Sequence, residues 1–194
     1  MIKPMSQKLN ILAISGSTRL QSSNHQLIKA VASLAADVAH VELFDGLTNI
    51  PHFNPDSDHD NPPAEVVAFR HRLREADAVL ICTPEYAIGV PGTLKNAIDW
   101  TVSSMEFSRK PVALITAGTS GFKAHESLLG TLLIIESNIA TTAQIVISGV
   151  KTKINQEGVI TDTATLEKVQ QLIEALVAVV KEEPVPLMPR PSLF

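Results

Sequence analysis

A chain of 194 residues with a formal net charge of −4 and 45% hydrophobic residues is long enough for one packed domain and too apolar for disorder. Its charges are interspersed, which excludes the clustered Lys and Arg of a nucleic-acid surface, and no apolar run reaches the roughly 18 to 20 residues of a membrane span. Met1–Lys8 lacks the apolar core of a signal peptide, and Cys82 is the only cysteine, so no intrachain disulfide can form and a reducing, cytoplasmic setting is expected. No Cys or His spacing suggests a zinc site, and no metal is expected.

The first apolar run, Leu9–Ile14, reads as a strand. It stops abruptly in Ser15-Gly16-Ser17-Thr18-Arg19-Leu20-Gln21-Ser22-Ser23-Asn24. Behind this loop, Leu27, Ile28, Val31, Leu34 and Ala35 recur at helical spacing, with Asn24 in the N-cap place. Free amides, the positive end of a helix dipole and several hydroxyls there suit an anion, and Arg19 adds a planar donor fork for a phosphate. The same residue types also make an ordinary turn. The spacing matches neither the dinucleotide fingerprint nor the P-loop, so hydroxyls rather than successive glycines would hold a phosphate.

His40–Asp45 alternates with period two and reads as a second strand. Thr48–Pro63 is a long loop rich in Pro, Asn, Asp and His; His52 and His59 lie in it without metal-ligand spacing. A helix over Ala64–Ala76 follows, with Val66, Val67, Phe69, Arg70 and Leu73 as a partial stripe. Ala78–Cys82 has the unbroken apolar pattern of a central strand, and Cys82 inside it reads as a small buried hydrophobe, since no positive neighbour would activate its thiol. Its exit loop, Thr83–Gly92, holds two prolines, two glycines and Tyr86. In the next helix Leu94, Ala97, Ile98 and Thr101 share a face, with Trp100 turned off it. Pro111–Thr116 is a further buried strand, ending in Ala117-Gly118-Thr119-Ser120-Gly121. The helix that follows is apolar over most of its circumference at Leu128–Ile135, which suggests cover by the sheet on one side and a partner subunit on the other. Gln144–Ile147 is the last strand, and Thr163–Lys181 closes the chain with a stripe of Leu166, Val169, Ile173, Leu176, Val177 and Val180.

Strands alternating with helices in this way make an α/β, doubly wound, five-stranded parallel sheet with helices on both faces. With no long insertion, the flavodoxin-like order 2-1-3-4-5 is expected, with residues 1–182 as one domain and 183–194 as a proline-rich tail, extended or loosely held. Ligands of such sheets bind beyond the carboxyl ends of the strands where the order reverses, which places Arg19 and Tyr86 across one crevice.

With these loops in place, Gly16-Ser17-Thr18-Arg19-Leu20-Gln21-Ser22-Ser23-Asn24 resembles the G-S-x-R-x-x-S-x-N loop of the NADPH-dependent FMN reductase family, which includes chromate, quinone and azo-dye reductases. Pro84-Glu85-Tyr86 and then Pro91-Gly92-x-Leu94-Lys95-Asn96-Ala97-Ile98-Asp99-Trp100 are similar to its second signature, and Ile50–Asp56 resembles its loop after the second strand. Two departures stand out: Ala87 and Gly89 replace the family's usual Asn and Ser, and Gly118–Gly121 lacks its Gly-Gly-x-Arg pattern.

The resemblance implies an FMN-containing oxidoreductase that passes two electrons from NADPH or NADH to a small-molecule acceptor: a quinone, flavin, azo dye or chromate. Ser17, Arg19, Ser22, Ser23 and Asn24 would hold the FMN phosphate, with Pro84, Glu85, Tyr86, Ala87, Ile88, Gly118 and Ser120 around the ring. No catalytic side chain is implied; His125 is an outside candidate for proton donation against a plainer place on a helix surface. Glu85 and Tyr86 have a rival role, bonding across a subunit interface. A homodimer or homotetramer is expected, joined through Trp100 and the Leu128–Ile135 helix. A flavodoxin-like electron carrier and a flavin-free binding module remain the alternatives.

Overall fold

The computed structural model describes residues 8–19, 21–59 and 61–191. Five strands form one parallel sheet in the order β2-β1-β3-β4-β5: β1 is Leu9–Ser15, β2 Ala39–Phe44, β3 Ala78–Thr83, β4 Val112–Gly118 and β5 Gln144–Ser148. The main helices are α1 Ser23–Leu34, α2 Ala64–Glu75, α3 Gly92–Asp99, α4 Phe122–Ile134 and α5 Thr163–Val180. Right-handed crossovers set α1 on one face and α2, α3 and α4 on the other, and α5 returns to pack beside α1.

The unbroken apolar runs are the central strands, as their pattern predicts. Every residue of β3 is buried, and β4 is buried as far as Ala117. The two edge strands are only partly covered. No helix among the described residues is long and apolar enough to cross a membrane.

The helix boundaries hold, but some faces differ from their predicted roles. Val67 lies outside the buried stripe of α2, whereas Arg70 lies within it. Arg70 Nε donates to the Trp100 carbonyl at 2.8 Å, and its guanidinium pairs with Asp58. Although burial alone would push the Asp58 carboxyl up, hydrogen bonds from Ser103 and Arg70 and the charge of Arg70 hold it below the usual range. The Thr48–Pro63 segment is therefore sewn to α2 and to the end of α3. Its His52 and His59 are exposed, and no group of three metal-ligating side chains occurs among the described residues.

The predicted subunit-facing surfaces are corrected. Trp100 is 1% exposed: its indole Nε1 donates to the Pro51 carbonyl at 2.8 Å, and Phe53 meets the ring edge-on at 5.1 Å. Leu132 and Leu133 are both buried within the subunit's own core. The tail is extended but held: Thr141 N donates to Pro186 O at 2.9 Å and Met188 N to Ile139 O at 2.8 Å. Val185 and Met188 pack on the core beside it.

Candidate functional site

Four loops leave the carboxyl ends of the strands and converge on a cleft of about 320 Å³ at the switch point between β1 and β3. The β1–α1 loop supplies Ser17, Arg19, Gln21, Ser22, Ser23 and Asn24, and the β3–α3 loop supplies Pro84, Glu85 and Tyr86. Ala117, Gly118 and Thr119 come from the end of β4, and Gly149–Thr152 from the turn after β5. A smaller cleft of about 200 Å³, lined by Asn10, His40, Glu42 and Arg72, lies at the amino ends of β1 and β2. None of the four loops reaches it.

The β1–α1 loop is held open by its own bonds. Gly16 N donates to Cys82 O at 2.9 Å, continuing the sheet one residue past β1. A Cβ on Gly16 would lie 2.2 Å from Thr83 Oγ1 and 2.7 Å from Thr83 Cβ, so only glycine lets the two strand ends approach this closely. Ser15 Oγ donates to Ser17 O and accepts from Ser17 N, rounding the chain toward Arg19.

The N-cap of α1 is Ser22, not Asn24: Ser22 Oγ accepts from Asn24 N at 3.2 Å. Asn24 stands two residues further in, and its buried carboxamide is committed elsewhere. Nδ2 donates to Ala117 O at 3.3 Å, and Oδ1 accepts from the Cys82 thiol at 3.2 Å. Ser17, Ser22, Ser23 and the first-turn amides of α1 other than that of Asn24 remain as the donor set, with the helix dipole behind them. Arg19 and Lys151 are the cations of the cleft, and neither pairs with a carboxylate among the described residues. Uncompensated cations, hydroxyls and a helix N-terminus suit a phosphate group.

Across the cleft, Tyr86-Ala87-Ile88-Gly89 forms a two-residue hairpin, with Tyr86 N bonded to Gly89 O and Gly89 N to Tyr86 O at 2.8 and 2.9 Å. Ala87 and Ile88 hold positive φ of 49° and 65° at its tip and do not line the cleft. Ser120 does not line it either; its carbonyl accepts from Ser148 Oγ at 3.1 Å. Glu85 bonds inside the subunit. Its Oε2 accepts from Lys123 N at 2.9 Å and Ala124 N at 3.0 Å, capping α4, whose own N-cap Gly121 offers no side chain.

His125 is neither on a helix surface nor in the cleft. It is buried, with Nδ1 bonded to Thr116 Oγ1 at 3.0 Å and Nε2 to Gln144 Oε1 at 2.5 Å. Burial lowers its pKa, opposed by the Gln144 bond. Gln21, Ala117, Thr119 and Gly149–Thr152 are cleft residues that the sequence reading missed. The signal for the last group was Gly149, two residues after the fifth apolar run, with Lys151 two residues beyond it: a fourth loop at the carboxyl side of the same sheet.

A parallel sheet of order 2-1-3-4-5 with a cation-bearing polar cleft at its switch point defines a flavodoxin-like protein. The model of one family, the NADPH-dependent FMN reductases, matches residues 9–152. An NAD(P)H-dependent FMN reductase of Pseudomonas aeruginosa is 34% identical over 177 residues, covering 89% of this chain and 95% of that protein. A quinone reductase of Escherichia coli K12 is 29% identical, over 84% of this chain and 90% of its own length. Among solved structures, the flavoenzyme NAD(P)H:acceptor oxidoreductase FerB of Paracoccus denitrificans superposes with a TM-score of 0.74 at 27% identity, over 90% of this chain and 98% of its own. The chain belongs to the NADPH-dependent FMN reductase family, as its two signatures implied, and is a flavin-dependent oxidoreductase that uses FMN and a reduced nicotinamide donor.

Proposed function

We propose that the cleft seats FMN with its phosphate on the β1–α1 loop and its ring toward Tyr86, and that the enzyme reduces quinones and similar small planar acceptors. The observation that carries this reading is the pairing, across one cleft, of unpaired Arg19 and the α1 hydroxyls with the aromatic, half-exposed Tyr86. Ser17, Arg19, Ser22 and Ser23 hold the phosphate. The backbone of Pro84–Tyr86 and of Gly118 borders the ring, and Glu85 keeps that backbone in place through its grip on α4. Asn24 acts from behind the loop, setting the distance between α1 and the strand ends. Ala87 and Ile88 stand at the rim, where an acceptor enters. FMN held there would supply the two-electron transfer from the nicotinamide donor to the acceptor. The chain's own task is to bind, orient and shield; no side chain here is given a proton-transfer role.

Support for an apolar planar acceptor comes from the rim, since Tyr86 and Ile88 are 48% and 73% exposed beside the cleft mouth. Association into a homodimer or homotetramer belongs to the same proposal, with its support moved from Leu132 to the exposed Ile134, Val102 and Met105. A reducing cytoplasmic setting suits the single buried thiol.

The test is flavin binding and turnover by Arg19→Ala. FMN affinity is expected to fall by about 1.5–3 kcal/mol, the scale of a charge-assisted hydrogen bond. Riboflavin, which lacks the phosphate, should respond little. Equal losses for both flavins, or no quinone-dependent NAD(P)H oxidation by the wild type, would overturn the assignment.

A further inference from the structure

We infer that the cleft continues past its phosphate end into an adenylate subsite, so that the protein takes a flavin dinucleotide as well as FMN; this rests on the flavin reading above. A second cavity, of about 510 Å³, adjoins the first and shares Arg19, Gln21, Ser22, Ser23 and Lys151 with it. It includes none of Pro84–Tyr86 or Ala117–Thr119, so it leads away from the ring end of the cleft. Its own wall is made by Gln26, Ile154, Asn155 and Gln156.

The chemistry of this wall is specific. Among the described residues no carboxylate lines it, and the carboxamides of Gln21, Gln26 and Gln156 can donate and accept, as the edges of a purine and the hydroxyls of a ribose require. Ile154, 8% exposed, gives an apolar floor. Arg19 and Lys151 stand at the junction of the two cavities, where a pyrophosphate would bring two negative groups. One flavin phosphate is already matched by Arg19, the hydroxyls and the α1 amides, which leaves Lys151 for the second.

The groove is also a built feature. Asn155 N donates to Val159 O at 3.0 Å, Val159 N to Asn155 Oδ1 at 2.8 Å, and Gly158 N to Asn155 O at 3.2 Å, closing a tight turn. Gly158, at φ 81°, presses that turn on α1, where a Cβ would lie 3.3 Å from the Gln26 carbonyl. The wall is thereby fixed to the same helix that faces the phosphate.

The experiment compares FAD and FMN affinities, by flavin fluorescence, in the wild type and in Gln156→Glu and Lys151→Ala. Far-UV circular dichroism of each variant serves as its control for folding. The FAD-to-FMN affinity ratio is expected to fall at least about threefold in each at low ionic strength, where an added or lost charge beside a phosphate is least screened. A ratio that moves less, or a wild type that binds FMN but not FAD, overturns the inference and leaves the flavin reading standing. A wild type that binds neither flavin overturns both. If Gln156→Glu raises the KM for NADPH while sparing FAD, the groove serves the nicotinamide donor and the inference fails.

Discussion

The thiol of Cys82 donates to Oδ1 of Asn24 across 3.2 Å, deep at the meeting point of β3 and α1. Through Nδ2 the same carboxamide reaches Ala117 O, so one side chain ties the first turn of α1 to the ends of both central strands. Burial pushes the Cys82 thiol up, which keeps it protonated and a donor rather than a reactive thiolate. Asn24→Ala should therefore destabilise the protein by about 1–3 kcal/mol, because buried groups lose their partner. FMN should bind more weakly as the loop loses its spacing. Chemical denaturation checks the first effect; a variant as stable as the wild type would show that the Cys82–Asn24–Ala117 chain contributes nothing.

That relationship also marks where sequence reading stops. The apolar runs of β3 and β4, the signature Gly16–Asn24 and the exit of each strand into a loop were all legible, and with them the strand order and the crevice. Which of Ser22, Ser23 and Asn24 caps the helix was not, because Ser and Asn both cap well and the choice depends on Ala117, far along the chain. Trp100 was misjudged for a similar reason. Periodicity describes regular elements, and the Trp100 indole is covered by Pro51 and Phe53 in an irregular segment. His125 carried no local sign that Thr116 and Gln144 would enclose it.

Glu85 gives a second test of a tertiary role hidden in a signature. Its carboxylate accepts two first-turn amides of α4, where a negative charge also meets the positive end of the helix dipole. Glu85→Gln retains an acceptor but loses the charge, and should cost about 0.5–1 kcal/mol, shrinking with added salt. Glu85→Ala should cost about 1–2 kcal/mol. Thermal melts at low and high salt separate the two contributions; a Glu85→Ala protein that melts with the wild type would assign the residue to ligand contact instead.

His125 predicts a pH dependence. Burial depresses its folded pKa below the ordinary value of 6.5, so the folded state prefers the neutral ring. The unfolded chain then binds the proton more readily, and stability rises with pH. The contribution is full above the unfolded value and is lost as pH falls from there toward the lowered folded value. Relative to His125→Gln, the wild type should lose stability as pH falls below about 6.5, the free histidine value, toward the lowered folded value. His25 has the same sign, from burial, and is present in both proteins, so the difference isolates His125. A gap that widens on acidification would mean that His125 is charged in the fold.

Ile88 combines three unfavourable features in one place: a β-branched side chain, a φ of 65° and 73% exposure. The bonds between Tyr86 and Gly89 make this a tight hairpin whose two central residues both need positive φ, a conformation suited to Asn or Gly. Holding Ile there costs on the order of 1–2 kcal/mol. Ile88→Asn should recover about 1 kcal/mol of stability, and because the tip sits at the cleft rim the change should raise the KM for an apolar quinone more than it lowers kcat. Such a trade would explain the strained residue as part of the acceptor's entrance. If Ile88→Asn is no more stable than the wild type, the hairpin carries no strain for the substitution to release; if it is more stable with an unaltered KM, Ile88 has no part in acceptor binding.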